Sequence, residues 1–240
     1  METFDEAPAN AFSHYAWTNG LIGELDRKFP SYLSAWTSAL VLNAEDTHYI
    51  YVHYDQVILE WENKRFTLHP GMFASVPGHA RLIGGQGIVV SREKWMGFFH
   101  IGMVEYEGRL KYIDGCTDSL LVPPVKLGDP CLNLLYFPKD IDQTMHTHPS
   151  DRIGMIMSGK GRCHAWNNGV EEIIDLLPGM IFCIHTDGPH KFSTPYGEHM
   201  RVLAYHPDSD YGPTDQSHPM INRTIVDGVP ASLLPDIQTK

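Results

Sequence analysis

Two stretches of this chain repeat one another. "TLHPGMFASVPGHA" (residues 67–80) and "DLLPGMIFCIHTDGPH" (175–190) each run through a Pro-Gly-Met turn, an apolar strand and a glycine-containing turn that ends in histidine. Gly71 and Gly179 stand 108 residues apart, about the size of one small β domain. Each copy follows a hairpin-like segment, "ILEWENKRFTL" or "CHAWNNGVEEIIDL", with turn residues at its centre. The rest of the chain is punctuated in the same way. Runs rich in Val, Ile, Tyr, Phe and Trp, such as "HYIYVHYDQVILEW", "LNLLYF" and "HMRVLAYH", are bounded by Gly, Pro, Asn or Asp, the pattern of an all-β sandwich or barrel. Helical periodicity is weak, and the one helix expected lies near "NGLIGELDRKF" (19–29). "DGCTDSLLVPPVKLGDP" (114–130) has the Pro/Gly content of a connector. The expected organisation is an N-terminal segment (1–30), a first unit (31–113), a second unit (114–207) and an irregular tail (208–240).

Composition narrows the class of partner. A chain of 240 residues with 42% hydrophobic content can bury a full core. Its net charge is −11, from 29 acidic and 18 basic residues without a Lys/Arg block, which argues against a nucleic-acid or anionic-membrane surface. A small molecule is the expected partner. The four cysteines form no CxxC and read as reduced thiols, with disulfide pairing the alternative. "METFDEAPAN" is acidic and polar, and no stretch approaches the ~18 apolar residues of a membrane span, so a cytoplasmic location is expected. The Asn222-Arg223-Thr224 sequon is then incidental.

The chemistry concentrates in "QTMHTHPSDRIGMIMSGKG" (143–161). Residues i and i+2 of a strand point to the same face, so His146 and His148 can aim both imidazoles at one point inside a barrel. His190, after the strand "MIFCI", is the third candidate ligand. A pair of surface histidines and a turn histidine are the bland alternatives.

These residues resemble the motifs of the cupin superfamily. Its first motif is His-x-His, then Glu and Gly; its second is Gly, then Pro-x-Gly, then His. His146, His148 and Gly159 match the first, and Gly179, Gly188 and His190 match the second, with His185 near where a proline is usual. The first half keeps the strand pattern and a His79 but has "LNAEDTHYIY" in place of His-x-His. The resemblance implies an all-β double-stranded β-helix, or jelly roll, duplicated as a bicupin. It also implies that only the C-terminal cupin holds a metal, on His146, His148 and His190. At the family's carboxylate position this chain has Arg152, with Asp151 one residue early. Asp151 or His185 as a fourth ligand stays open, since Pro149-Ser150 could supply an irregular turn. An inward Arg152 would suit a bidentate grip on a substrate carboxylate, similar to the three-histidine iron dioxygenases of the superfamily, which lack the glutamate. An outward arginine paired with Asp151 is the alternative.

Two further residues enter as catalytic candidates. His164 alternates with Trp166 and could line the barrel as a proton shuttle, although a hydrogen-bonded structural histidine is the commoner outcome. Tyr205 shares a strand face with Arg201 and Leu203, where a phenol could donate to a metal-bound oxygen or simply pack in the core. Histidines 48, 53, 69, 79 and 100 share no ligand spacing. The reading is an Fe(II) dioxygenase acting on a small carboxylate-bearing substrate. Mn, Ni or Zn in an isomerase, decarboxylase or hydrolase is the alternative chemistry, and a non-catalytic binding cupin the alternative class. A homodimer formed through sheet edges is expected, with no nucleic-acid or membrane partner.

Overall fold

A computed structural model describes residues 10–26 and 28–237. The first half runs through β1 (Phe12–Tyr15), β2 (Gly20–Leu25), β3 (Ser31–Trp36), β4 (Ala39–Leu42), β5 (Thr47–Tyr54), β6 (Val57–Trp61), β7 (Lys64–Leu68), β8 (Met72–Pro77), β9 (Ala80–Ile83) and β10 (Gln86–Arg92). The second half follows with β11 (His100–Met103), β12 (Leu110–Lys111), β13 (Thr117–Val122), β14 (Cys131–Phe137), β15 (Arg152–Gly159), β16 (Gly161–Asn167), β17 (Val170–Leu176), β18 (Ile181–Ile184), β19 (His190–Ser193) and β20 (Met200–His206). The tail holds a single-turn helix, α1 (Pro219–Arg223), and a two-residue hairpin, β21 (Ile225–Val226) with β22 (Val229–Pro230).

The repeat seen in the sequence is a repeat of turns. His69 O accepts from Met72 N, and Leu177 O from Met180 N, both at 3.0 Å. Gly71 (φ 85°) and Gly179 (φ 87°) sit at the third position of these turns, where a positive φ follows a proline. Each glycine N–H then donates into the adjacent strand, to Val52 O at 2.9 Å and Ile156 O at 2.8 Å. The hairpins match too. Glu62-Asn63 and Asn168-Gly169 carry positive φ at both central residues, the mirror-image turn that fits strand twist.

These units build two large antiparallel sheets with matching strand orders, β11-β8-β5-β10-β3-β2 and β1-β18-β15-β20-β14-β13-β12. Smaller sheets close the outer sides, β4-β9-β6-β7 on the first half and β17-β16-β19 on the second. The edge strands are exchanged. β1, from the start of the chain, pairs with β18 of the second sheet, while β11 pairs with β8 of the first. The stretch at 19–29, expected as a helix, contains β2, whose backbone bonds to β3 across a register shift between Leu21 and Gly23. The connector expected at 114–130 supplies β13, and β12 before it joins the same second-half sheet.

Three cores follow. Leu33, Tyr49, Tyr51, Ile88 and Val90 of the first sheet meet Leu134, Ile153, Met155, Leu203 and Tyr205 of the second between the large sheets. Alternation sends the other residues of each strand into its own barrel. The first barrel is filled by Trp36, Ile50, Val52, Leu59, Leu68 and Leu82, all fully buried. The second has Phe137, Phe182 and Phe192 around a partly open interior. The four cysteines are free and buried. No helix among the described residues is long and apolar enough to cross a membrane.

Polar ties fix the N-terminal arm to the second half. The Asn167 side chain accepts from Ala11 N and Phe12 N and donates to Phe12 O and Glu172. Asp151 accepts from Asp26 N at 3.0 Å and from Thr186 N and Oγ1 at 2.8 and 2.9 Å, and Asp151 N donates back to the Asp26 carboxylate. Burial alone would raise the Asp151 carboxyl, but the neighbouring His185 and the Thr186 hydrogen bonds outweigh it and hold its pKa below the ordinary carboxylate value. The folded state therefore releases this proton more readily than the unfolded one, so the stabilisation is present at neutral pH and lost in acid. Asp151→Asn is expected to lower unfolding stability at pH 7 by on the order of 1–3 kcal/mol, with the gap closing below about pH 4. Urea denaturation at both pH values reads the difference, and an equal gap at both would remove the carboxylate from this role.

Candidate functional site

The second barrel encloses a cavity of about 520 Å³. His146, His148 and His190 converge on it, their ring centroids 4.6–5.1 Å apart. The segment that carries the pair is less regular than the strand expected from the sequence. It runs beside β19 through isolated bridges, Asp142 with Ser193 and His146 with His190, and the latter pair exchanges two backbone hydrogen bonds of 3.0 Å. Gln143 adds a third link, accepting from Phe192 N. The two imidazoles reach one point because a bridge pins His146 to His190 and because Asp187 N donates to His148 O.

The electrostatics suit metal ligation. His146 Nδ1 donates to Thr144 O at 2.8 Å and His190 Nδ1 to Gly188 O at 2.9 Å, since a carbonyl can only accept. That fixes the tautomer and leaves Nε2 with its lone pair toward the cavity. Burial, then the Arg152 cation and the other two imidazoles, push His148 down to about 2. Burial foremost takes His190 down to about 4. Both rings are neutral near pH 7, as ligands must be. One nitrogen from each of the three lies within 4.8 Å of the others, a spread that a small inward movement brings to bond lengths near 2.1 Å. Gly188 matters here through its lack of a side chain, since a Cβ would meet Ala11 Cα at 2.6 Å where the N-terminal arm passes.

Arg152 points inward. It is 6% exposed and lines the cavity, with Nη1 donating to Ser150 Oγ (2.7 Å), Ser150 O (2.9 Å) and Asp151 O (3.3 Å). Its Nε has no partner, and no carboxylate oxygen lies within 4.0 Å of it among the described residues. Burial lowers its pKa, yet a guanidinium stays charged. Asp151 faces the other way, toward Asp26, Thr186 and Cys183, and His185 bonds Ser13 Oγ at 2.8 Å. Neither reaches the three histidines. Asp151, Cys183 and His185 form a separate group, and their contacts are structural ties of the N-terminal arm.

Two expected catalytic residues lie elsewhere. Tyr205 is fully buried between the large sheets, its ring 4.9 Å from Tyr49 and its hydroxyl 3.3 Å from Ser31 Oγ. The face it shares with Leu203 is the inter-sheet face, and Val202, Ala204 and His206 take the cavity side of β20. His164 lies on the outer face of β16 with the exposed Arg162 and Trp166, its Nδ1 3.5 Å from Glu171, while Cys163 and Ala165 point in. The alternation was legible in both strands, and the side facing the cavity was not.

The cavity also holds groups that sequence reading passed over. His206 is partly buried, its Nε2 buried and unpartnered, and burial, Arg152 and His148 hold its pKa well below the ordinary histidine value. Tyr112, raised to about 12 chiefly by burial, is a neutral phenol. Asn133 and Asp118 line the far side, and Tyr211 enters from the tail. Only His206 had a visible signal, as the second residue after Ala204 on the opposite face from Tyr205.

No family model and no curated protein matches this chain. Solved structures do. A cupin 2 conserved barrel domain protein from Leptotrichia buccalis superimposes with TM-score 0.55 at 15% identity over 85% of this chain and 91% of that one. A salicylate 1,2-dioxygenase from Pseudoaminobacter salicylatoxidans in complex with gentisate gives 0.58 at 9% identity over 84% of each chain. Bacillus subtilis oxalate decarboxylase, with its Mn(II) centres, gives 0.51 at 11% identity over 90% and 81%. Identities this low speak for architecture alone, and the architecture of this chain is the all-β jelly roll of the cupins.

Proposed function

We propose that the second barrel is a three-histidine metal centre, and that the chain is a metal-dependent oxygenase acting on a small carboxylate-bearing substrate. The observation that carries this is the charge arrangement. A buried guanidinium without a carboxylate partner sits beside three imidazoles in a largely apolar cavity. A buried cation without an anion is costly, and a substrate carboxylate supplies the missing charge. His146, His148 and His190 would hold the ion, and none of them cancels its charge. A divalent ion there, Fe(II) in this reading, would supply open coordination positions for substrate and for O₂.

The protein's own groups have defined parts. Arg152 grips the carboxylate through its free N–H groups and turns the reactive end toward the histidines. His206 and Tyr112, both uncharged, offer a proton donor or acceptor along the wall. Phe137, Phe182 and Phe192 keep water away from the reacting atoms. The structural likeness to a salicylate dioxygenase supports oxygenase chemistry, and the likeness to a manganese decarboxylase supports Mn(II) as a second possibility for the ion. The cytoplasm and a homodimer remain part of the proposal.

Two outcomes test it. Protein purified without chelator is expected to carry close to one equivalent of iron, lost in His148→Ala; plasma mass spectrometry measures both, and a metal-free wild type after reconstitution would leave only a binding module. Arg152→Met is expected to weaken binding of carboxylates by about a hundredfold, since a buried charge pair contributes several kcal/mol, while metal content stays unchanged. Equal affinity of wild type and variant would overturn the anchor.

A further inference from the structure

The cavity has a second polar end that the proposed centre does not use. Asn133 on β14 is 6% exposed and donates through Nδ2 to Asp118 Oδ2 at 3.0 Å. Its Oδ1 is buried with no partner, and the other Asp118 oxygen is uncommitted among the described residues. Both residues line the same cavity as Arg152. The register gives their separation. Arg152 lies one residue beyond the Ile153–Tyr205 pair, beside His206, which pairs with Cys131 on β14. Asn133 is therefore two strands across and two residues along, about 12 Å between backbones by sheet spacing. On the intervening strand β20, His206 and Ala204 face the cavity between them, while Phe182, Phe192, Leu135 and Val202 add apolar wall.

An acceptor with nothing to accept from is costly in such a place. Burial also holds the Asp118 carboxyl up to about 6, so beside Asn133 it is a largely ionised acceptor near pH 7. We propose that Asp118 and Asn133 form a substrate subsite, and that the substrate is a small acid bearing a hydrogen-bond donor, hydroxyl or amino, at the end away from its carboxylate. This rests on the carboxylate-anchor reading of Arg152. A ligand of that kind satisfies the guanidinium at one end and the Asn133 acceptor at the other, and an analogue without the donor leaves that buried acceptor unpaired.

The test uses three acids of one shape, 3-phenylpropanoates with hydroxyl, amino or methyl at the 4-position, titrated calorimetrically into the purified protein under nitrogen. Wild type is expected to bind the hydroxyl or amino acid about tenfold more tightly than the methyl acid. Which of the two gains more identifies the natural donor. Asn133→Leu and Asp118→Val are expected to bring that ratio to about one while still binding the methyl acid, which certifies that each variant is folded. Arg152→Met is expected to weaken all three acids alike. A wild-type ratio of one, or a ratio that survives both substitutions, overturns the subsite and leaves the anchor intact. Acids that bind with no dependence on Arg152, or no binding at all, overturn the anchor and the subsite with it.

Discussion

The packing of the two large sheets against each other decides where chemistry can occur in this chain. Leu33, Tyr49, Ile88 and Val90 on one side and Leu134, Ile153, Met155 and Leu203 on the other exclude water from one face of each sheet. Strand alternation then commits every intervening residue to a barrel interior. On β15 that places Ile153 and Met155 in the shared core and Arg152 in the cavity. On β20 it places Tyr205 in the core and His206 in the cavity. A shift of one residue in either strand would exchange these roles, so the apolar residues between the sheets fix the register of the site as well as the stability of the fold.

The two halves share a frame and differ in what fills it. In the first barrel, Ile50 and Val52 of β5 and Trp36 of β3 pack into one buried apolar cluster, and the interior His48 is spent on Ser91 Oγ and Asn43 O. In the second, the polar positions are held open. Arg152, His206 and Asn133 each keep at least one buried atom without a protein partner. Three unsatisfied groups in one cavity are a concentrated cost, and unoccupied hydrogen-bonding capacity of this kind marks a place where a ligand completes the structure. The edge exchange of β1 and β11 joins the halves, so the N-terminal arm braces the barrel that holds the site. Asn167 and Asp151 make that bracing specific by satisfying backbone N–H groups of the arm.

What could be read from the sequence follows from how local each signal is. The Pro-Gly-Met turns and Asn-Gly hairpin are set by φ preferences of single residues, and they occur where expected. The histidine set was visible because its members are named by chemistry and spacing. Residues 19–29 misled because β2 keeps an irregular apolar spacing on a sheet edge, where exposed and half-buried positions blur the period. Tyr205 and His164 misled for a different reason. Alternation tells which residues share a face, and only the tertiary partner of that face tells which way it looks. The same gap hid Asn133 and Asp118, since neither residue type nor spacing announces an acceptor inside a barrel.

The electrostatic plan of the cavity is consistent from end to end. The chain as a whole is acidic, with a net charge of −11, yet the residues nearest the histidines are a lone buried cation and neutral rings. An anion leaving bulk solvent meets the exposed Lys111 on the cavity wall and, deeper in, the buried Arg152, where the low dielectric strengthens the attraction. The one carboxylate in the cavity, Asp118, sits at the opposite end beside Asn133 and repels the same anion. In the proposed reading, Arg152 and Asp118 present opposite charges to the two ends of a bipolar ligand, the acid toward the histidines and the donor group away from them.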